Sequence, residues 1–142
     1  MHTVKQLLDS KRGGVVTIAP DVSVFHALEL MAERDIGAVV VVHEDRVVGI
    51  LSERDYARKV ILHNKSSREI TVDEIMTDRV LYVGLTHTIE ECMALMTDKR
   101  IRHLPVMDGD RLVGVLSIGD LVQATIDERD FLIRQLETYI MT

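Results

Sequence analysis

A motif of seven residues occurs twice in this chain of 142 residues, and the two copies start 65 positions apart. The first copy reads GILSERD at residues 49–55, and the second reads GVLSIGD at residues 114–120. When residues 18–61 are aligned with residues 83–126 without a gap, 12 of the 44 pairs are identical. The chain therefore builds one structural unit twice, and its fold must accommodate two similar halves.

A shorter similarity lies upstream of each copy, where TVKQLL at 3–8 matches TVDEIM at 71–76. The first copy then carries three extra residues, which we place around KRGG at 11–14. Residues 62–70, LHNKSSREI, are mostly polar and irregular, as is typical of a linker. The predicted domains are a first repeat over 1–62, a linker over 63–70, a second repeat over 71–126 and a C-terminal helix over 127–142.

Each copy predicts a short helix followed by strand, helix, strand, strand and helix. Ser23 and Thr88 are expected to be N-caps of the longer helices, because each directly precedes an apolar stripe. The residues of these stripes, at i, i+3, i+4 and i+7, are Val24, Ala27, Leu28 and Met31 in the first copy, and Ile89, Cys92, Met93 and Met96 in the second. The predicted strands are 15–18, 38–43 and 47–51, and then 80–83, 103–107 and 112–116.

One copy alone would bury too little apolar surface to be stable. We therefore expect an α/β (α+β) fold, in which two β-α-β-β-α repeats pack sheet to sheet with pseudo-twofold symmetry. After residue 126 a mostly apolar stripe continues at helical spacing through Phe131, Leu132, Gln135, Leu136 and Tyr139. Two interpretations of this stripe stay open: it covers the chain's own core, or it forms a dimer contact.

Charge and composition exclude several classes of function. The net charge of −6 argues against a nucleic-acid surface, because backbone binding needs a basic stripe. Cys92 is the single cysteine, which rules out a disulfide within the chain, and we expect it in the helical core. The six histidines show no metal-ligand spacing, so no metal site is predicted. No apolar run has the length of a signal peptide core or a membrane span, which predicts a cytoplasmic protein with no membrane partner.

No catalytic motif is recognisable in the chain. It has no nucleophile–base pair at readable spacing and no glycine-rich phosphate loop. We therefore predict that the protein is not an enzyme.

Ser52 with Asp55, and Ser117 with Asp120, stand where a predicted strand ends and a helix begins. A Ser-x-x-Asp sequence can form a capping box that satisfies free backbone amides. The same junction can bind a ribose phosphate, because the amides and the helix dipole attract phosphate and a carboxylate can accept ribose hydroxyls. The residues alone leave both interpretations open.

The duplicated β-α-β-β-α order, closing with G-[IV]-L-S-x-x-D, resembles the CBS domain, and the tandem resembles a CBS pair, or Bateman module, over about residues 3–126. The resemblance implies a stand-alone regulatory module that forms a homodimer and has two clefts between its repeats. Its expected ligand is an adenosine compound: AMP, ADP, ATP, NAD(H) or S-adenosylmethionine. The competing hypothesis is a dimeric interaction scaffold of the same fold that binds no nucleotide. The regulated protein partner stays unknown.

The resemblance implies that Asp120 holds the ribose in the first cleft and that Ser117 lies near ribose or phosphate. The backbone of residues 36–38 would read the adenine edge, and Arg102 would contact phosphate. The full set for this cleft is Thr17, Val22, Ile36, Gly37, Ala38, Arg102, Val115, Ser117, Gly119 and Asp120.

In the second cleft the resemblance implies that Arg54 and His103 contact phosphates. Tyr82 and His87 are bulkier than the residues that they match in the first copy, so AMP is expected in the first cleft. For the second cleft two alternatives stay open: it is empty, or it holds a different or larger nucleotide. The full set for the second cleft is Tyr82, His87, Ile101, Arg102, His103, Ser52, Arg54 and Asp55.

Overall fold

The computed structural model describes residues 2–11 and 14–141, the last of these in its backbone only. Its elements in chain order are α1 (Val4–Ser10), β1 (Thr17–Ile18), α2 (Val24–Arg34), β2 (Ala38–His43), β3 (Arg46–Ser52), α3 (Glu53–Tyr56) with a π-helical turn (Ala57–Ile61), α4 (Val72–Ile75), α5 (Ile89–Lys99), β4 (His103–Asp108), β5 (Arg111–Ser117) and α6 (Ile118–Met141). The mixed α+β class and the duplicated order of elements are confirmed.

The chain divides into two compact units. The first-repeat unit is Val15–Leu81, and the second-repeat unit is Met1–Gly14 together with Tyr82–Thr142. In the first-repeat unit, β2 lies between a parallel β1 and an antiparallel β3. In the second-repeat unit, β4 pairs with an antiparallel β5.

The longer helix of each unit begins and packs as its sequence predicts. The hydroxyl of Ser23 accepts a hydrogen bond from the His26 amide, and that of Thr88 accepts one from the Glu91 amide. These are the expected N-caps, which satisfy amides that the first helical turn leaves free. The buried residues of α2 and α5 are Val24, Ala27, Met31, Ile89, Cys92 and Met96. The amphipathic stripes therefore supply one wall of each core.

The strand predicted over residues 80–83 is wrong except for its last residue. Only Val83 pairs with β4, where its amide donates to the Pro105 carbonyl and its carbonyl accepts from the Met107 amide. The next bond of a parallel ladder would need an amide hydrogen on residue 105, which proline lacks. The residue of the first copy that matches Pro105 is Val40 of β2, which pairs with Thr17 of β1. There the predicted strand 15–18 forms, but only over Thr17–Ile18.

Each unit is completed by a short helix that lies in the other repeat of the sequence. Val72 and Ile75 of α4 are buried in the core of the first-repeat unit, while Val4 and Leu7 of α1 are buried in that of the second-repeat unit. Backbone bonds of 2.8 and 2.9 Å anchor the two helices, from the Val72 amide to the Val22 carbonyl and from the Val4 amide to the His87 carbonyl. The repeat read along the chain and the compact unit are thus different divisions of the molecule.

The two short helices differ in length. Helix α1 has 7 residues and α4 has 4, so the first copy is longer by three at this point. The three extra residues of the first copy were placed around residues 11–14, of which Arg12 and Gly13 lie outside the described residues.

The glycine of the repeated motif makes room for the short helix. A Cβ atom on Gly49 would lie 2.5 Å from the Met76 sulfur, and one on Gly114 would lie 2.6 Å from a methyl carbon of Leu8. Real Cβ atoms do not approach neighbours so closely, because close packing leaves no such overlap. The motif glycine is therefore explained by packing within each unit.

Helix α6 runs without a break over 24 residues, so the helix predicted from residue 127 is the continuation of one that starts at Ile118. Leu121 and Ala124 are buried in the second-repeat unit. From Arg129 to residue 140 every side chain is exposed, and Leu136 and Tyr139 are 62% and 81% exposed. Of the two interpretations of the C-terminal stripe, coverage of the chain's own core is therefore wrong.

Candidate functional site

The first Ser-x-x-Asp junction, at the end of β3, forms a complete capping box. The Ser52 hydroxyl accepts a hydrogen bond of 3.1 Å from the Asp55 amide, and the Asp55 Oδ2 accepts one of 3.0 Å from the Ser52 amide. Extended backbone at Ser52 turns the chain from strand to helix at this point. The capping interpretation of this junction is confirmed.

The remaining oxygen of Asp55 is also engaged within the first-repeat unit. Its Oδ1 accepts a hydrogen bond of 3.2 Å from the Thr77 hydroxyl and lies 3.4 Å from the Lys59 ammonium. Lys59 in turn donates to the Ile75 carbonyl at the end of α4. The Asp55 side chain is only 13% exposed. This carboxylate therefore connects the junction to α4 and presents no unengaged oxygen.

The second junction, at the end of β5, has the same box but a different environment. The Asp120 amide donates to the Ser117 hydroxyl at 3.1 Å, and the Ser117 amide donates to the Asp120 Oδ2 at 2.8 Å. Lys11, after α1, donates to the same Oδ2 at 2.8 Å and to the Val115 carbonyl at 2.8 Å. Among the described residues, none donates a hydrogen bond to the Asp120 Oδ1, and the side chain is 25% exposed. The Asp120 carboxylate thus has one oxygen without a hydrogen-bond donor among the described residues.

The surroundings keep Asp120 ionised. Burial acts to raise the pKa of its carboxyl, but hydrogen bonds from Lys11 and Ser117 and the charge of Lys11 outweigh it. The net result is a pKa below the usual value of 3.8. A carboxylate that stays charged and partly exposed is a good acceptor for hydroxyl donors.

Three basic residues, Lys11, Arg102 and His103, lie at or next to the second junction. His103 starts β4 directly opposite Ser117, and the carbonyl of Arg102 accepts the Ile118 amide at 2.9 Å. Burial lowers the pKa of His103, against the opposing effect of the Asp120 charge and with the help of the Arg102 and Lys11 charges. His103 is therefore mostly neutral near pH 7, while the lysine and the arginine carry positive charge.

The first-repeat unit has small, uncharged residues at the matching positions. Ala38 starts β2 opposite Ser52, and the Gly37 carbonyl accepts the Glu53 amide at 3.0 Å. The two junctions thus share one backbone arrangement and differ in the side chains beside it. The second junction has Arg102 and His103 at the positions where the first has Gly37 and Ala38.

The residues predicted for the first cleft fall in both units. The first-repeat unit holds an exposed Thr17, a half-buried Val22 and Ile36, and a buried Ala38 next to Gly37. The others lie together at the end of β5 and the start of β4 in the second-repeat unit: Arg102, Val115, Ser117, Gly119 and Asp120. Each group thus lies within one unit, and the assembled cleft stays a prediction.

The second predicted set divides in the same way between the units. Ser52, Arg54 and Asp55 lie at the first junction. The members in the second-repeat unit are Tyr82, His87, Ile101, Arg102 and His103. This cleft also stays a prediction.

One residue of the second set has a local structural partner. The imidazole Nδ1 of His87 accepts the Gly84 amide at 2.9 Å and closes the turn before α5. The Tyr82 side chain is 64% exposed.

Sequence reasoning missed the two lysines that hold the junction carboxylates. Lys59 is four positions after Asp55, so helical spacing was a usable signal. Lys11 is 109 positions from Asp120, and no local pattern connects them.

In the part of the chain that the structure describes, His, Cys, Asp and Glu side chains nowhere gather in a group of three or more suited to a metal ion. None of the helices in those same residues combines the length and the apolar character needed to cross a membrane.

Comparison with known proteins gives consistent matches. A family model described as CBS domain matches residues 4–62 and again residues 72–127. The Arabidopsis thaliana protein named "CBS domain-containing protein CBSX3, mitochondrial" is 35% identical, and the match covers 97% of this chain and 71% of that protein.

Solved structures agree with the sequence comparison. A protein with CBS domains from Burkholderia ambifaria, whose name proposes a role in signal transduction, is 49% identical with a TM-score of 0.84, covering 88% of this chain and 94% of that one. A hexameric CBS-CP12 protein from bloom-forming cyanobacteria is 29% identical with a TM-score of 0.76, covering 84% and 70%. These names describe domains, signalling and assembly, and none of the three names a catalysed reaction.

Proposed function

This chain belongs to the CBS-domain family as a tandem pair, and from that premise we propose that it is a regulatory module that binds an adenosine compound. The first candidate ligand is AMP, and the other candidates are ADP, ATP, NAD(H) and S-adenosylmethionine. Binding changes the behaviour of a protein partner or of the module's own assembly, and no chemical reaction takes place. Such a module acts only through a difference in affinity between two states.

The observation that carries the proposal is the unengaged Oδ1 of Asp120. A sugar hydroxyl needs a charged acceptor that is fixed in place and still reachable, and the Asp120 carboxylate is charged, held by its partners and 25% exposed. The Ser117 amide and Lys11 hold the other oxygen at 2.8 Å each. The low pKa keeps the group charged. Charged hydrogen bonds of this kind are among the stronger ones in proteins.

The cations beside Asp120 support a ligand that carries phosphate. Arg102 and Lys11 are positively charged near this junction, and His103 becomes so when protonated. An arginine side chain is well matched to phosphate through its paired donors. The overall charge of −6 would otherwise repel a nucleotide, so these local cations matter for binding.

The two junctions are not equivalent in this proposal. Asp55 has both oxygens engaged by Ser52, Thr77 and Lys59, and little of it is exposed. A sugar hydroxyl at Asp55 would have to displace one of these partners, whereas one at Asp120 would not. We therefore assign the primary sugar contact to Asp120, and Asp55 mainly to structure.

A pair of matched variants tests the assignment. The stability of the wild-type protein is measured with AMP, ATP, NADH and S-adenosylmethionine, and a ligand at 100 times its Kd adds about 2.7 kcal/mol to the free energy of unfolding. Asp120→Asn is expected to weaken binding of the active ligand by about tenfold, since a charged acceptor is lost. Asp55→Asn, the control, is expected to change Kd by less than about threefold. Unchanged affinity in folded Asp120→Asn would overturn the assignment.

The second candidate function is an interaction scaffold that binds no nucleotide. It is favoured by the fact that both Ser-x-x-Asp motifs are complete capping boxes, which gives the motif a structural reason in each unit. The same binding measurements separate the candidates: if none of the four compounds shifts the unfolding transition, the scaffold is the better account.

Assembly and location complete the proposal. We propose a homodimer, and the hexameric CBS-CP12 protein is an example of assembly in a similar structure. A cytoplasmic location stays a prediction, which fractionation of cells that express the protein would test.

A further inference from the structure

The C-terminal part of α6 presents an apolar face that is exposed in the part of the chain that the structure describes. Ile126, Ile133, Leu136 and Ile140 are 46%, 46%, 62% and 79% exposed. Ile126 lies within the residues that the family model matches, which end at 127, and the other three residues follow them. Most of the face therefore lies beyond the matched domain.

The spacing of this face is that of a coiled coil. Residues 126, 129, 133, 136 and 140 follow one another at intervals of three, four, three and four, and isoleucine occupies every second position of this series. Such a series keeps one narrow seam directed at a neighbouring helix. Leu132 and Tyr139 extend the seam on one side, and both are more than half exposed.

The C-terminal turns of α6 contain apolar side chains that are not buried. All side chains from 129 to 140 are exposed. In proteins such helices are stabilised by burying their apolar face. The continuous helix of residues 118–141 therefore points to an occupant for this seam.

We propose that the occupant is the same segment of a second copy of the chain, paired antiparallel and centred on Ile133. In that register Ile133 meets its own counterpart, and Ile126 of each copy meets Ile140 of the other. Arg129 of each copy then lies beside Glu137 of the other. Neither of these two charged side chains makes a hydrogen bond or ion pair with any described residue of its own chain.

The charges select the antiparallel arrangement. Arg129 is the one charged residue in the seam series, and a parallel, in-register pair would place two arginines against each other. Like charges facing each other between helices are unfavourable. The antiparallel register replaces this repulsion by two reciprocal Arg–Glu contacts. Charge complementarity thus fits a second copy of this helix.

Sedimentation equilibrium of the full chain tests the surface. The wild-type protein is expected to be a dimer, and Ile133→Lys is expected to raise its dissociation constant by about 100-fold, since the change removes a central apolar contact from both copies. Thr138→Lys adds the same charge on the opposite side of α6 and is expected to leave the dimer intact. Circular dichroism verifies that both variants fold. A wild-type monomer, or a dimer that Ile133→Lys does not weaken, would overturn the proposal.

A charge exchange tests the orientation. Arg129→Glu alone is expected to weaken the dimer by about tenfold, because it opposes Glu137 of the other copy. Arg129→Glu combined with Glu137→Arg is expected to restore wild-type affinity, because both reciprocal contacts return with reversed sign. A double variant as weak as the single one would contradict the antiparallel register. The outcome is independent of nucleotide binding, since none of these residues lies at the Asp120 junction.

Discussion

The ammonium of Lys11 donates a hydrogen bond of 2.8 Å to Oδ2 of Asp120, although 109 positions separate the two residues along the chain. The same ammonium donates to the carbonyl of Val115, which lies at the end of β5. Lys11 thus joins the end of α1 to the junction that carries the proposed sugar-binding carboxylate. Removal of this lysine should affect both the stability of the second-repeat unit and the ionisation of the junction.

Replacement of Lys11 by methionine is expected to lower the free energy of unfolding by about 0.5–1 kcal/mol at neutral pH, because a partly exposed ion pair contributes in that range. Although burial acts to raise it, the folded-state pKa of Asp120 is held below 3.8. The ionised Asp120 carboxylate therefore contributes fully to stability above pH 3.8. This contribution is lost as the pH falls through the lower folded-state pKa.

Urea unfolding at neutral and acidic pH measures this effect. Lys5→Met is the control, since the Lys5 pair with Asp9 is on the same helix and both side chains are well exposed. If Lys11→Met is no less stable than Lys5→Met, the junction pair does not contribute as expected.

Substitution of alanine for Gly114 is expected to destabilise the protein by about 1–3 kcal/mol, the usual cost of an overpacked contact. The new Cβ would lie 2.6 Å from Leu8. Leu8→Ala removes the atoms that the new Cβ would overlap. The double variant should therefore lose less free energy of unfolding than the sum of the losses of the two single variants. Chemical unfolding of the four proteins gives the coupling energy. Gly14→Ala is the control: its new Cβ has no atom within 4 Å, so its stability is expected to be nearly unchanged. If the effects of Gly114→Ala and Leu8→Ala are strictly additive, the packing argument is contradicted.

The stability of the protein is expected to fall as the pH decreases below about 6.5, in part because of His103. Burial lowers the folded-state pKa of His103, with Asp120 opposing and Arg102 and Lys11 assisting. The neutral form is preferred in the folded state, so this contribution is present above the unfolded pKa of 6.5 and is lost as the pH falls through the folded value. Unfolding of His103→Gln should show a shallower pH dependence in this range. If the free energy of unfolding has the same dependence on pH in the wild type and in His103→Gln, the prediction is wrong.

Cys92 is expected to be nearly inert to thiol reagents in the folded protein. Burial, with a smaller effect of the Glu91 charge, raises its pKa from 9.0 to about 11. The thiolate is the reactive form, so little of it exists near pH 8. A chromogenic disulfide reagent should label the thiol at once in urea and only slowly in native buffer. The neutral thiol also stabilises the fold below pH 9.0, and this contribution is lost as the pH rises through about 11.

Local patterns in the sequence were sufficient for the elements that depend on near neighbours. The stripes of α2 and α5, their caps at Ser23 and Thr88, and the capping boxes of both motifs follow from spacings of three and four residues. These features are local because a helical turn brings such residues together whatever the rest of the chain does. Duplication of the motif likewise predicted the duplicated order of elements.

Only the tertiary structure decided the contacts that join distant segments. It assigns α1 to the second-repeat unit and α4 to the first, and it brings Lys11 to Asp120. It limits the strand before α5 to Val83, because Pro105 on β4 has no amide hydrogen for a longer ladder. Each of these contacts depends on which surfaces meet after the chain folds. The periodicity of the side chains does not predict which distant segments come together. The sequence by itself therefore determined the elements and their caps, while packing decided which carboxylate oxygen remains unengaged.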